Sequence, residues 1–139
     1  MPQQIPVYVL SLPAAADRRA RLERHHARLG IRLTMIEGVD GRLMSEAERA
    51  AVVGPDRPLS PSEVGCHLSH ARAWQALLAS DAPCAVVLED DGLIDRRFAP
   101  LLREDLPVDR FDYLFLDVDA HNELGLIAYD RGDGLALGH

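Results

Sequence analysis

The sequence predicts an α/β fold in which a mostly parallel sheet carries helices on its faces. Short apolar segments rich in β-branched residues alternate with longer segments of helical periodicity, and this alternation is typical of parallel sheets. The first apolar segment, residues 5–12, contains almost no polar side chain, as expected of a strand buried on both faces. The 139 residues, 47% of them hydrophobic, suffice for a single domain with one core, which we assign to residues 1–139.

The N-terminal part of the chain predicts a strand, a helix and a second strand in succession. The strand Ile5–Leu12 stops at Pro13, and the helix Ala14–Leu29 is followed by Gly30, a residue type that is favoured just after a helix. Residues 31–36 form the next β-branched segment. The three elements therefore make a βαβ-like unit.

A short helix is predicted after this unit. The glycines of segment Gly38–Gly41 indicate a turn. Ser45 and Glu48 then have the spacing of a capping box, which predicts a helix ending near Val53. The prolines of residues 54–59 indicate a loop.

The strongest helix signal in the chain begins at Ser60. Pro61 suits the first helical position and Glu63 completes a second capping box, so we predict a helix from there to Ser80. Its buried stripe is predicted to comprise Val64, Leu68, Ala71, Gln75 and Leu78, with Trp74 and Leu77 beside it.

Two further strands are predicted in the C-terminal half. Ala85–Glu89 and Phe111–Leu116 are apolar and bounded by polar residues, and a short helix is predicted within Asp95–Arg103. Beyond Glu123 the pattern fades into a glycine-rich tail. Neither an internal repeat nor a low-complexity tract is present in the sequence.

Composition narrows the partners and the compartment. The net charge of −7 argues against nucleic-acid binding, although local arginine clusters can still bind phosphate. The two cysteines form neither a CxxC nor a zinc-finger spacing, which favours a reducing compartment. The N-terminal apolar run is short and no basic residue precedes it, so we expect no signal peptide, no transmembrane segment and a cytoplasmic protein.

Two acidic clusters follow apolar strands. Glu89, Asp90 and Asp91 offer the oxygen ligands that Mg²⁺ and Mn²⁺ prefer, and the alternative is a solvated acidic loop. Asp117 and Asp119 offer the same ligands in a DxD arrangement, and the alternative there is a polar strand end. The two clusters either share one site or only one of them is functional.

Imidazole and guanidinium groups supply two further candidate sites. Glu63, His67 and His70 have i, i+4 and i+7 spacing, which suits a transition metal, although histidines that only form hydrogen bonds are commoner. Arg18 and Arg19 stand at the start of the first helix, where guanidinium groups and the helix dipole favour a phosphate. Composition alone favours an exposed charged helix face for these arginines.

Several of these candidates fall at the carboxyl ends of predicted parallel strands, where α/β proteins bind ligands. Ser11, with Arg18 and Arg19 nearby, follows the first strand; Glu89–Asp91 and Asp117–Asp119 follow two later ones. We therefore expect them to converge on one cleft.

Four separate blocks of the sequence, taken in order, resemble glycosyltransferase family 25, the lipooligosaccharide and collagen-type galactosyltransferase family. They are VYVLSLPAAADRRARLERHHARLGI, IEGVDG, LSPSEVGCHLSHARAW and VVLEDD. The resemblance spans about residues 7–117, and GCHLSH together with LEDD is its most specific part.

The resemblance implies a GT-A-like fold, a UDP-sugar donor, usually UDP-galactose, and a divalent cation, Mn²⁺ or Mg²⁺. By position it implies that Asp91 and Glu89 bind the metal. The residues it implies for donor binding are Ser11, Arg18, Arg19, Glu63, Ser69, His70, Glu89 and Asp90. The acceptor would be a glycan or a lipid-linked glycan in lipopolysaccharide biosynthesis, with peripheral association at the cytoplasmic face of the inner membrane.

Two features depart from the family pattern. Family members usually have asparagine at the position of Ser11, which affects one nucleotide contact. The family domain also continues well beyond the strand matched by Phe111–Leu116, whereas this sequence stops at His139. We therefore expect an incomplete, C-terminally truncated domain that lacks acceptor-binding elements.

The function that this resemblance implies is metal-dependent, inverting transfer of a hexose. An acceptor hydroxyl would attack the sugar carbon, which requires a general base; Asp117, Asp119 and Glu123 are candidates, and the sequence selects none of them. The first alternative is a truncated domain that binds a nucleotide or a partner without turnover. The second is a receiver-like domain for Mg²⁺-dependent phosphotransfer, which leaves GCHLSH and the arginine pair unexplained.

Overall fold

The computed structural model describes residues 4–54, 58–103 and 112–114. The chain divides into two units, residues 1–107 and 108–139, and the elements below belong to the first. In the second unit, residues 112–114 contain neither helix nor strand, and the rest of the predicted strand Phe111–Leu116 lies outside the described residues. The assignment of one domain to residues 1–139 stays a prediction.

Three parallel strands form the described sheet, in the order β2-β1-β3. They are β1 (Val7–Ser11), β2 (Leu33–Glu37) and β3 (Val86–Glu89). All five residues of β1 are buried, because β1 has a neighbour on each side and packed side chains above and below. The parallel pairing confirms the predicted α/β fold and its Rossmann-like character.

The helices begin and end close to their predicted positions. They are α1 (Ala16–Arg28), α2 (Glu46–Val53) and α3 (Pro61–Leu78). Both predicted capping boxes are formed, at Ser45 and at Ser60. Short 3₁₀ helices occupy Gly41–Leu43, which begins at the last residue of the predicted turn Gly38–Gly41, and Ala99–Arg103, within the segment predicted as a short helix.

Alternate residues of β1 face two different clusters of the core. Val7 packs with Leu102 of the second 3₁₀ helix and with Leu29, which caps α1. Tyr8 and Leu10 pack against Ala73 and neighbouring residues of α3. The two-residue period of a strand therefore places α3 on one face of the sheet and the C-terminal end of α1 on the other.

The predicted buried stripe of α3 is wrong in part. Val64 is buried as predicted, but Gln75 is exposed and Leu78 is 85% exposed. The helix instead buries the small residues Gly65, Ser69 and Ala73, at i, i+4 and i+8. The prediction failed because it followed the spacing of large apolar residues. This interface instead uses small side chains, which let the backbone of α3 approach its neighbour closely.

The closest approach joins α3 to the segment after β2. A Cβ atom on Gly65 would collide with the carbonyl oxygen of Val39 and lie 2.6 Å from the nitrogen of Gly41. The Ser69 hydroxyl accepts a hydrogen bond from the Val39 nitrogen (2.8 Å) and donates one to the Gly65 carbonyl (2.7 Å). Backbone contacts backbone here, so a side chain has no room.

We predict that Gly65→Ala destabilises the protein although alanine is the better helix former. Forcing a methyl group into a filled space costs about 1–3 kcal/mol, and urea unfolding measures the loss. Gln75→Ala, at an exposed position of the same helix, serves as the control and changes stability little. A Gly65→Ala chain as stable as the parent would show that the close approach is not required.

Candidate functional site

An open cleft of ≈ 200 Å³ lies at the carboxyl ends of β1 and β3. Its lining includes Ser11 at the end of β1, Glu89 and Asp90 at the end of β3, and Arg18 from α1. The segment Gly38–Arg42 after β2 and residues of α3 complete the lining. The chain adds β2 on one side of β1 and β3 on the other, so the direction of strand addition reverses at β1. Such a switch point is where α/β proteins bind ligands.

The strand register divides the acidic residues between two helices. Leu10, which packs against the α3 side of the core, pairs with Glu89. Glu89 therefore faces α3, while Asp90, in the turn that follows β3, contacts Arg18 of α1. The contacts of the two carboxylates agree with this division.

Asp90 bridges the ends of β1, β3 and α1. Its Oδ2 accepts a hydrogen bond from the Ser11 hydroxyl at 2.9 Å, and its Oδ1 lies 2.9 Å from Arg18 Nε. Arg18 Nη2 also donates to Oδ2, at 3.3 Å. The Asp90 side chain is only 12% exposed whereas that of Arg18 is 58% exposed, so the carboxylate is held in place while the guanidinium keeps an outer surface open to a ligand.

Arg19 has a different environment from Arg18. Its Nη1 donates to the carbonyl oxygen of Leu12 at 2.6 Å and to the Ser11 hydroxyl at 3.4 Å. Its Nη2 donates to the carbonyl oxygen of Pro13 at 3.1 Å. These bonds attach the start of α1 to the loop after β1 and place Arg19 beside Ser11; donor binding by Arg19 itself stays a prediction.

A second arginine in the cleft was missed by the sequence analysis. Arg42 forms a two-point contact with Asp40, Nε to Oδ1 at 2.8 Å and Nη2 to Oδ2 at 2.7 Å. This guanidinium holds the pKa of the Asp40 carboxyl below its usual range. The sequence does contain a signal for this pair, since Asp40 stands two residues before Arg42. The segment was interpreted only as a turn.

Glu89 meets two side chains of α3. Cys66 and His70 are four residues apart, so they lie on one face of the helix. Cys66 Sγ and His70 Nε2 each lie 3.7 Å from Glu89 Oε1, and the three ligand atoms are all within 4.8 Å of one another. Partial desolvation, followed by the nearby Glu89 charge, raises the pKa of the Cys66 thiol, so the thiol is protonated at neutral pH and is a poor nucleophile.

The predicted trio of Glu63, His67 and His70 is not assembled. The Glu63 carboxylate accepts a hydrogen bond from the Ser60 nitrogen at 2.7 Å and serves as the cap of α3. The His67 ring lies against Trp74 instead. Only His70 of the trio turns toward β3, where Cys66 takes the place of a second histidine.

The remaining predicted site residues have mixed positions. Ser69 lines the cleft, although its hydroxyl is bonded within the protein. Asp91 is exposed and is not part of the cleft lining, and its role as a metal ligand stays a prediction. Asp117, Asp119 and Glu123 lie outside the described residues.

These donors allow a test of whether the cleft suits a hard divalent cation. Both Asp90 oxygens are already bonded to Arg18 or Ser11, whereas the Glu89 carboxylate is 60% exposed at the cleft. Mg²⁺ and Mn²⁺ can be held by one or two carboxylates when substrate phosphates supply further oxygens. Glu89 meets that minimum, so the cleft fits such an ion bound together with a diphosphate.

Comparison of the sequence with known protein families gives a match over most of the chain. The profile of the family described as "Glycosyltransferase family 25 (LPS biosynthesis protein)" matches residues 4–123. The chain belongs to glycosyltransferase family 25. The family resemblance inferred from the four sequence blocks is thereby confirmed.

Individual members of family 25 match at moderate identity. Lacto-N-neotetraose biosynthesis glycosyltransferase LgtE of Neisseria meningitidis serogroup B is 33% identical over 112 residues, which are 76% of this chain and 39% of that protein. Procollagen galactosyltransferase 2 of Homo sapiens is 26% identical over 121 residues, 80% of this chain and 19% of that protein. Probable inactive glycosyltransferase 25 family member 3 of Bos taurus is 29% identical over 109 residues, 70% of this chain and 18% of that protein.

The chain therefore spans well under half the length of these family 25 relatives. The blocks GCHLSH and LEDD lie within the matched residues. Within the described residues, none of the helices combines the length and the hydropathy that a membrane span requires.

Two histidines hold the segment that follows the acidic residues, and the sequence analysis missed them. His26 is fully buried; its Nδ1 donates to the Leu22 carbonyl at 2.8 Å and its Nε2 accepts from the Ile94 nitrogen at 3.2 Å. His25 Nε2 donates to the Ile94 carbonyl at 2.8 Å. The pair thus binds both backbone groups of Ile94 and fixes the chain four residues after Asp90.

Desolvation lowers the pKa of His26 from its usual 6.5, aided by the neighbouring His25. The folded protein therefore binds fewer protons than the unfolded chain just below pH 6.5. The stabilisation from neutral His26 is complete above that pH and is lost as the pH falls toward the lowered pKa.

We predict that His26→Gln weakens the fold at about pH 8 by about 1–3 kcal/mol, because buried hydrogen bonds are lost. The same variant should lose less stability than the parent when the pH is lowered from about 7.5 to about 5.5, because the buried titrating group is gone. Urea unfolding at each pH gives both values. His67→Gln, at an exposed histidine of α3, is the control; equal acid sensitivity in the parent and His26→Gln would contradict the prediction.

Proposed function

We propose that the chain is the donor-binding part of a glycosyltransferase that transfers a hexose from a UDP-sugar to a glycan acceptor. The hexose we propose is galactose. Membership of family 25 supports glycosyl transfer. The printed names of the relatives include procollagen galactosyltransferases and a lacto-N-neotetraose biosynthesis enzyme, which supports galactose and a glycan acceptor, and the family description names LPS biosynthesis, which supports an acceptor of the lipopolysaccharide type.

The observation that carries the proposal is the position of Arg18. It reaches over the cleft at the switch point of the sheet and is anchored by Asp90 through Nε and Nη2. A guanidinium has five N–H donors, so Arg18 retains donors for the oxygens of a diphosphate. Arg42, on the β2 side of the same cleft, adds a second guanidinium.

The charges of the cleft support the participation of a divalent cation. Arg18 is balanced by Asp90 and Arg42 by Asp40, and Glu89 adds a further negative charge. A diphosphate entering this cleft would meet that carboxylate, and repulsion between the two favours a cation between them. A bound Mn²⁺ or Mg²⁺ would supply Lewis-acid stabilisation of the charge on the departing UDP.

In an inverting transfer, a base removes the proton from the acceptor hydroxyl as it attacks the sugar carbon. Asp117, Asp119 and Glu123, outside the described residues, remain the candidates named from the sequence. The chain's own described residues would bind and orient the donor: Arg18 and Arg42 at the phosphates, with Ser11 and Asp90 fixing Arg18.

A second candidate function is nucleotide binding without turnover. It is favoured by a matching relative whose printed name is "Probable inactive glycosyltransferase 25 family member 3". Release of UDP from UDP-galactose, with or without an added acceptor, separates the two functions. The receiver-like alternative has no support in the comparisons, which match family 25.

We predict that Arg18→Gln weakens the binding of UDP in the presence of Mn²⁺ by about tenfold or more, since a hydrogen bond to a charged group contributes about 1.5–3 kcal/mol. Isothermal titration calorimetry of the purified chain measures the dissociation constant. Arg97→Gln is the matched control, because Arg97 pairs with Asp95 at the same distance of 2.9 Å on an exposed surface. Equal affinities of the two variants would contradict donor binding at Arg18.

We also predict that Glu89→Gln removes most of the Mn²⁺-dependent gain in UDP affinity, since the carboxylate charge that attracts the cation is lost. Asp91→Asn tests the second predicted metal ligand and should reduce the same gain. Asp95→Asn, which removes an exposed acidic group nearby, is the control. A metal-dependent gain that survives in Asp91→Asn would remove Asp91 from the site.

A further inference from the structure

The contact between α3 and the end of β3 brings three different kinds of metal ligand together. Cys66 supplies a sulfur, His70 an imidazole nitrogen and Glu89 a carboxylate oxygen, and these atoms lie within 4.8 Å of one another. Two of the distances, Cys66 Sγ to Glu89 Oε1 and His70 Nε2 to Glu89 Oε1, are 3.7 Å. Cys66 and His70 belong to α3 and Glu89 to β3, so the cluster is not simply a set of residues that share one helix face.

These spacings suit a tetrahedral ion. With Zn–S, Zn–N and Zn–O bonds of about 2.3, 2.0 and 2.1 Å, the ligand atoms of a tetrahedral site lie about 3.3–3.6 Å apart. The two 3.7 Å separations need to shorten by only a few tenths of an ångström, whereas the Cys66–His70 separation, at most 4.8 Å, has to shorten by up to about 1.3 Å. Side-chain rotations can supply these changes, because the Cys66 residue and the Glu89 side chain are exposed.

We propose that Cys66, His70 and Glu89 form a binding site for a transition-metal ion of the Zn²⁺ class. Three protein ligands leave a fourth coordination position open. Cys66 and Glu89 both line the cleft, so that position is available to water or to an oxygen of an anionic ligand. The site does not depend on glycosyl transfer, since it is defined by its own ligands.

The ligand chemistry separates this ion from Mg²⁺ and Mn²⁺. Sulfur and imidazole favour zinc, cobalt or copper, whereas the harder ions prefer oxygen ligands. Glu89 is the one residue common to this site and to the predicted Mn²⁺ or Mg²⁺ site. The two kinds of ion therefore compete for Glu89, and each excludes the other from it.

Binding of the ion requires a proton to leave the protein. The Cys66 thiol is protonated when the site is empty, and coordination forms a metal–sulfur bond while the S–H proton passes to the solvent. Metal affinity should consequently rise with pH. The ion also neutralises the negative charge that Glu89 contributes at the cleft.

The test uses Co²⁺, a coloured substitute for Zn²⁺, titrated into the full reduced chain. The site predicts one Co²⁺ per chain, visible absorption bands typical of tetrahedral cobalt, and a sulfur-to-cobalt charge-transfer band; Zn²⁺ should displace the cobalt and Mg²⁺ should not. Cys66→Ser should abolish the charge-transfer band. Cys84→Ser is the matched control, because Cys84 is the other free cysteine and lies outside the cluster.

A second pair of variants tests the imidazole ligand. His70→Ala should weaken Co²⁺ binding by at least about tenfold, while His67→Ala, three residues earlier on the same helix, should leave it unchanged. Circular dichroism confirms that each variant is folded. Binding without a sulfur band, binding that resists Cys66→Ser in a folded chain, or equal losses in His67→Ala and His70→Ala would each overturn the proposal.

Discussion

The hydrogen-bonded carboxylate of Asp90 is the link on which the cleft depends. It joins the end of β1 through Ser11, the end of β3 through its own backbone and the start of α1 through Arg18. A carboxylate that is 12% exposed is costly to leave without partners, so these elements are held in one arrangement. The strand geometry then sends Glu89 to the opposite side, toward α3. One acidic strand end thus serves both helices, with Asp90 orienting an arginine and Glu89 available to a cation.

This division works only because α3 lies very close to the sheet and to the segment after β2. Gly65, Ser69 and Ala73 form the buried face of the helix, and at Gly65 the backbones are in direct contact. Cys66 and His70 are neighbours of these small residues in the sequence, so the same approach brings them to Glu89. The packing of these small residues in the core therefore places Cys66 and His70 beside Glu89 at the cleft.

Local signals explain what the sequence predicted well. Both capping boxes are decided within four residues, and β1 and β3 are marked by short apolar runs. The strand-end rule also brought Ser11, Arg18 and Asp90 together correctly. Three features were missed because they depend on where side chains from distant elements point. They are the buried face of α3, the place of Cys66 in the metal-ligand cluster, and the hydrogen bonds of His25 and His26 to the backbone of Ile94. Periodicity records neither close backbone approach nor the orientation of a ring, so these could not be derived without coordinates.

If an anionic donor binds in the cleft as proposed, the balance of charge there favours a cation beside it. Among the described residues that line the cleft, each arginine already has an aspartate, and Glu89 is the carboxylate whose neighbours are a thiol and an imidazole. An anionic donor alone would add negative charge to this end of the sheet. A cation at Glu89 offsets the repulsion, and the kind of ion then depends on which additional ligands it accepts. Oxygens from a bound diphosphate favour a hard ion, whereas Cys66 and His70 favour a softer one. On these proposals, binding of the ligand in the cleft and binding of the metal at Glu89 would be coupled, because each changes the set of atoms offered to the other.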